Sequence, residues 1–287
     1  MKTVRTLALA ALLLSPSLAY AADEHSHEAP QPPRLKWSFA GPFGKFDQAQ
    51  LQRGFKIYKE VCSACHSMEM LAFRNLADAG GPGYSPAQAA AIASEYKIKD
   101  GPNDAGEMFE REGRVADYFP KPFANEQAGR AANGGAYPPD LTVMAKARTY
   151  ERGFPWFVLD MVTQYQEHGV DYIAALLKGY AEKPKDMQMP AGMNYNTMFP
   201  GHMIGMPPPL QNGQVTFDDG APATLDQYAQ DVAAFLMWTA EPNLVARKRL
   251  GLQVMIFLLV LAGLLYFTKK KVWHDVHAHP EKLKDRA

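Results

Sequence analysis

The chain has only two cysteines, and they sit three positions apart with a histidine directly after the second: Cys62-Ser63-Ala64-Cys65-His66. In a Cys-x-x-Cys-His segment two thiols can add to the vinyl groups of a haem while the adjacent imidazole reaches the iron. A thioredoxin-like pair would want a βαβ context, and a zinc site would want a second pair of Cys or His ligands. Neither accompanies the motif. The expectation is therefore one covalently attached haem c, with Cys62 and Cys65 as attachment points and His66 as an iron ligand. Such a group also relaxes what the fold must supply, because a large apolar ring can stand in for missing side-chain core.

The two ends of the chain suggest where this domain sits. Lys2 and Arg5 precede an apolar run to Leu14, and Ala19-Tyr20-Ala21 forms a small-x-small cleavage pattern, so residues 1–21 read as a signal peptide. Residues 250–267, LGLQVMIFLLVLAGLLYF, carry no charge and lie between Arg247-Lys248-Arg249 and Lys269-Lys270-Lys271. That length and composition predict one transmembrane helix. The expected order is a periplasmic haem domain over 22–246, an anchor with its flanks over 247–270, and a short cytoplasmic tail over 271–287. The protein would then cross the bacterial inner membrane once.

The formal net charge of zero conceals an asymmetry. Between Ala22 and Ala246 there are 19 basic against 27 acidic side chains, a net charge of −8. An acidic surface repels nucleic-acid phosphates, which excludes nucleic acid as a partner, and it suits either docking to a basic protein or simple solubility. The stretch from Asp100 to Asp117 concentrates acidic residues and is a candidate steering surface. Charge reversal at Glu107 and Glu110 is expected to slow association with a basic partner more at low salt than at high salt. An equal rate at both would remove the idea.

Leu51, Phe55, Tyr58 and Val61 recur at helical spacing behind Asp47, a good N-cap, so an amphipathic helix should run into the cysteine motif. Thr224 with Gln227 opens a second helix that ends before Pro242. Shorter helices are expected over 86–96 and 171–180. Gly- and Pro-rich loops lie between, with little strand alternation. The fold class is mainly α: a class I-like c-type cytochrome domain with long loops, plus the C-terminal transmembrane helix.

An electron-carrying haem needs a sixth ligand, and a thioether or second imidazole is usual. Among the 14 methionines, Met206 stands in Ile204-Gly205-Met206-Pro207-Pro208-Pro209, where proline stiffens a loop that is not helical. Met198, Met203 and His202 are nearby rivals.

Several segments together resemble the cytochrome c1 family: CSACHSMEM, DGPNDAGEMFEREGRVADYFPKPF, NGGAYPPDLT, FPGHMIGMPPPL, FDDGAPAT and the closing WTAEP and RKRLGL. The resemblance runs from about Trp37 through the anchor. It implies thioether links at Cys62 and Cys65, and His66 and Met206 as the iron ligands. It also places Arg148 and Tyr172 near the haem propionates. A carbonyl in Tyr137-Pro138-Pro139, assigned to Pro138, would accept the second ring N–H of His66. The implied role is electron transfer in ubiquinol:cytochrome c oxidoreductase, from a Rieske iron–sulfur protein to a cytochrome c, beside cytochrome b in a dimeric complex. The competing reading is a membrane-anchored cytochrome c subunit of a terminal oxidase or nitric oxide reductase. A haem-based sensor would need an open sixth position and an output domain. Residues 149–169 depart from the mitochondrial pattern as an insertion, expected to be an extra helix or a contact.

Overall fold

The computed structural model describes residues 30–150, 153–163, 165 and 167–274. The expected signal peptide and residues 275–287 of the tail lie outside these. Among the described residues there are eight α-helices and two small antiparallel sheets. The mainly helical expectation holds.

Helix α1 (Gln48–Glu60) begins where Asp47 accepts a hydrogen bond from the Gln50 amide, the capping interaction its sequence position suggested. It ends at Val61, one residue before a 3₁₀ turn over Cys62–Ala64. A second 3₁₀ turn, Phe73–Ala77, leads to α2 (Pro86–Ser94), which Ser85 and Gln88 close with a reciprocal capping box. Strands β1 (Lys97–Asp100) and β2 (Phe109–Glu112) form a hairpin. Short helices α3 (Glu126–Ala132) and α4 (Met144–Ala147) follow, then α5 (Trp156–Thr163) inside the insertion and α6 (His168–Lys178). Strands β3 (Asn194–Tyr195) and β4 (Met203–Ile204) pair next. The chain closes with α7 (Leu225–Ala240) and α8 (Leu244–Val272).

The core is built on the crossing of α1 and α7. A Cβ placed on Gly54 would lie 2.2 Å from the Asp231 carbonyl oxygen and 2.6 Å from Phe235 Cβ, so only glycine permits this approach. The two backbones meet there, and Phe55 and Tyr58 reach the Phe235 ring at centroid separations of 5.7 and 6.1 Å. Phe119 and Phe73 continue the aromatic cluster, 4.3 Å apart. On the outer side of the crossing Arg53 Nε donates to Asp231 at 2.7 Å and Arg53 NH1 to Asp219 at 2.6 Å. The same guanidinium thus ties α1 to α7 and to the loop before it.

Helix α6 packs on α7 and α4. Gly169 lies against the backbone of α4, where an added Cβ would fall 1.9 Å from the Ala145 carbonyl oxygen. In its first turn Asp171 is fully buried and accepts from the Trp37 indole at 2.7 Å, the Leu35 amide at 3.0 Å and the Tyr165 hydroxyl. The irregular N-terminal lead from Pro30 is held to the domain through this carboxylate.

Helix α8 has 29 residues and at about 1.5 Å per residue spans roughly 43 Å, more than the ~30 Å of bilayer hydrocarbon. Among the described residues nothing buries its apolar run. That is the expected transmembrane anchor.

Candidate haem site

The site begins where α1 ends. The Cys62 carbonyl accepts from the amides of both Cys65 (3.1 Å) and His66 (2.9 Å), winding the motif into one tight turn. Ser63 Oγ donates back to the Lys59 carbonyl at 2.7 Å and fastens that turn to the helix. Both cysteines are free thiols, Cys62 half-buried and Cys65 exposed. Burial, with some help from neighbouring Cys65, pushes the Cys62 thiol up to about 12.

Burial also lowers the pKa of His66, against the opposing pull of a hydrogen bond to the Pro139 carbonyl, 2.8 Å from Nδ1. A carbonyl only accepts, so the proton of the neutral ring sits on Nδ1 and the Nε2 lone pair is left for a metal. The sequence reading assigned this acceptor to Pro138. The structure places it one residue later. Leu141 donates its amide to the Ser67 carbonyl at 2.9 Å, which fixes which side of the extended segment faces the motif. Carbonyls alternate along extended chain, so the one two residues back from Leu141 faces His66.

Asp140 holds that segment in place. Its carboxylate accepts from Ser67 Oγ (2.9 Å), the Glu69 amide (2.7 Å) and the Thr142 amide (2.8 Å), while Thr142 Oγ1 accepts from the Met70 amide at 3.3 Å. Sequence reasoning missed Asp140; a carboxylate directly after two prolines was the available signal. Replacing it with alanine frees three donors and is expected to cost about 2 to 3 kcal/mol, with asparagine recovering part. Thermal melting of the two variants checks this.

Met206 lies two residues beyond β4 in a loop braced from three sides. Tyr180 donates its hydroxyl to the Met206 carbonyl at 3.1 Å. Gly205 passes so near Ala136 that an added Cβ would sit 3.3 Å from the alanine Cβ, which brings the Met206 loop against the segment that carries Pro139. Buried Asn196 organises the base of the loop, accepting from the Met198 and Phe199 amides at 2.9 and 3.2 Å and donating to Leu176 at 2.8 Å. Two of the rival ligands have structural tasks. His202 adopts φ 60° and keeps Nδ1 3.0 Å from the Asn196 carbonyl, and Met203 pairs with Tyr195 in the hairpin. Neither Tyr180 nor Asn196 was marked by its sequence context.

Arg148 and Tyr172 are brought together. Burial raises the Tyr172 phenol pKa and the positive charge of Arg148 opposes the rise, while Tyr172 in turn adds to the upward shift that burial imposes on Tyr180. Arg148 is exposed at the end of α4, and Tyr172 is 9% exposed on α6. Arg148, Tyr172, Tyr180 and Met206 therefore form one continuous neighbourhood. Around the motif, Met70 (59% exposed), Tyr137 (36%) and Val143 (42%) present large side chains that no protein core covers. Two thiols on one turn, a neutral imidazole with its Nε2 lone pair free, a braced thioether loop and an apolar rim fit a haem c.

A model of the cytochrome c1 family matches residues 37–276. The chain belongs to the cytochrome c1 family. It is 67% identical over 248 residues to the cytochrome b/c1 protein of Bradyrhizobium diazoefficiens, covering 86% of this chain and 36% of that protein. The chain thus spans about a third of that relative's length. Against the cytochrome c1 of Blastochloris viridis it is 47% identical over 277 residues, covering 96% and 98% of the two chains. Against a mitochondrial cytochrome c1 heme protein of Arabidopsis thaliana it is 42% identical over 263 residues, 90% and 78% of the two chains. These matches extend from before the cysteine motif into the anchor, well beyond a shared haem motif, and favour cytochrome c1 over an oxidase or nitric oxide reductase subunit.

Proposed function

We propose that the chain is the membrane-anchored electron-transfer subunit of a ubiquinol:cytochrome c oxidoreductase, receiving electrons from a Rieske iron–sulfur protein and passing them to a cytochrome c. The observation that carries this is the Pro139 carbonyl on His66 Nδ1, which readies an imidazole for iron directly after two free thiols. A haem c bound there supplies a one-electron iron couple. Cys62 and Cys65 would fix it covalently, and His66 and Met206 would hold its iron. The Met206 thioether would favour the reduced iron and raise its potential. Arg148 would offset a propionate charge beside Tyr172. No substrate bond changes on this chain; its residues orient, desolvate and hold.

The proposed topology follows the two ends of the sequence: a signal peptide over 1–21, the haem domain over 22–246 on the periplasmic side of the inner membrane, and a cytoplasmic tail over 271–287. Cytochrome b would contact the anchor, and two such complexes would form the assembly. The acidic hairpin is a narrower steering surface than its composition suggests. Arg111 is clamped between Asp117, at 2.6 and 2.9 Å, and Asp100, which occupies both carboxylates and cancels one of their two charges. Asp104, Glu107 and Glu110 remain exposed, so the salt-dependent loss of association rate on charge reversal should come from Glu107 and Glu110.

The test is purification of the tagged full-length protein from membranes in mild detergent. Copurification of a cytochrome b and a Rieske protein is the expected result. An oxidase catalytic subunit in their place would overturn the assignment.

A further inference from the structure

The insertion carries a surface that electron transfer does not use. From Phe154 to Leu159 the sequence reads FPWFVL, six residues without a polar side chain, and all six are exposed. Phe154 is 82%, Phe157 52% and Val158 40% exposed. The one charge of α5, Asp160, is turned inward, within 3.5 Å of His168 at the start of α6. A contiguous apolar run on an outer surface, with its charge facing in, marks a contact with something apolar.

Its position indicates what that is. Lys248, two residues before the apolar run of α8, donates to the carbonyls of Phe39 and Gly41, both at 2.6 Å, and Glu167 acts electrostatically on the same ammonium. Residues 39–41 and 167 thus lie level with the start of the membrane span. Glu167 and Tyr165 join α5 to α6, and together with Arg34 and Gly41 they line one cleft. Arg34 lies over the Tyr165 ring at 3.6 Å. The turn after Gly41 presents Phe43, 74% exposed, and Lys36 and Lys45, which bracket it in sequence, are exposed too. Two separate segments that carry exposed aromatic rings, α5 and the turn after Gly41, therefore adjoin the cleft beside the start of the anchor. Amphipathic aromatic residues concentrate at the headgroup level of bilayers, with basic residues beside them for anionic lipid.

We propose that α5 and the Phe43 turn form an interfacial collar that inserts Phe154, Phe157, Val158 and Phe43 among phospholipid headgroups and seats the domain on the membrane. The collar extends the membrane contact of α8 and leaves the haem site untouched.

The test replaces Phe157, in the full-length chain expressed in its native membranes, with the photo-crosslinking residue p-benzoylphenylalanine, and does the same separately at Phe43. Covalent haem staining reports folding of each variant. After illumination, mass spectrometry of the isolated chain is expected to show phospholipid adducts at both positions. An adduct to another protein would overturn the proposal in favour of a subunit contact, and an adduct to a second copy would make the patch a self-interface. Absence of adducts at both positions would leave the rings in water and would equally overturn it. Since Phe43 is on a separate turn, its result stands if the α5 variant fails to stain.

Discussion

Met206→Leu is expected to yield a folded, covalently pigmented protein whose reduced spectrum shifts on exposure to carbon monoxide, whereas the unaltered protein ignores the gas. Leucine and methionine differ little in volume, and exchanges of that kind usually cost under about 1.5 kcal/mol. The loop also keeps its other braces, since Tyr180 holds the Met206 backbone carbonyl and Gly205 keeps its approach to Ala136. What is lost is the sulfur. Axial ligands set haem potentials over a range of about 0.8 V, so loss of the thioether should lower the potential by roughly a few tenths of a volt and stop transfer to the acceptor. Redox titration with carbon monoxide difference spectra reads both effects. A spectrum indifferent to the gas would move the sixth ligand elsewhere, with His202 next to test. Tyr180→Phe should do far less, costing about 1 kcal/mol of loop stability with the ligand intact.

The largest effect on folding is expected from Gly54→Ala. Alanine is favoured over glycine inside a helix by about 1 kcal/mol, so on an open helix face this change would stabilise the protein. Here the new methyl group would fall 2.2 Å from a backbone oxygen of α7 and 2.6 Å from Phe235 Cβ, and neither can swing aside. The helices must part. Separation loosens Phe55 and Tyr58 against Phe235 and strains the Arg53 bridge to Asp231. Overpacking typically costs about 1 to 3 kcal/mol, and a clash between backbones belongs at the top of that range. The overlap outweighs the propensity gain, and Tm should fall by about 5 to 10 °C. Because α1 delivers Cys62, haem staining per unit of immunodetected protein should fall too. A melting temperature equal to or above the original would contradict the crossing described here.

The parts of the fold read correctly from sequence are those in which one local signal sufficed. Asp47 and Thr224 each cap the helix that their position suggested. Helix α6 was harder. It starts at His168, not at Asp171, and its first turn is held by the backbone contact of Gly169 with α4, which joins residues distant in sequence. Strands β3 and β4 are two residues each, too short to show alternation. The site divides the same way. Cys62, Cys65 and His66 are a contiguous motif, whereas the assignment of Pro138 in place of Pro139 turned on the Leu141 to Ser67 hydrogen bond, between residues distant in sequence. Asp140 and Tyr180 act through partners that only the fold brings near. The insertion resolves into a helix, one of the two expectations for it, and its exposed apolar residues are the basis of the proposed collar.

The junction between domain and anchor has a mechanical consequence. Leu244 is buried at the first turn of α8, Glu241 is paired with both Lys146 and Arg247, and Lys248 grips two carbonyls of the 39–41 loop. No slack segment separates α7 from α8; the three residues between them are fastened on each side. The connection is built as a strut, not a swivel, and in the topology proposed above it would set the height of His66 over the bilayer. In that arrangement the distance an electron carrier must cover to reach the site and leave it would be travelled by the carrier.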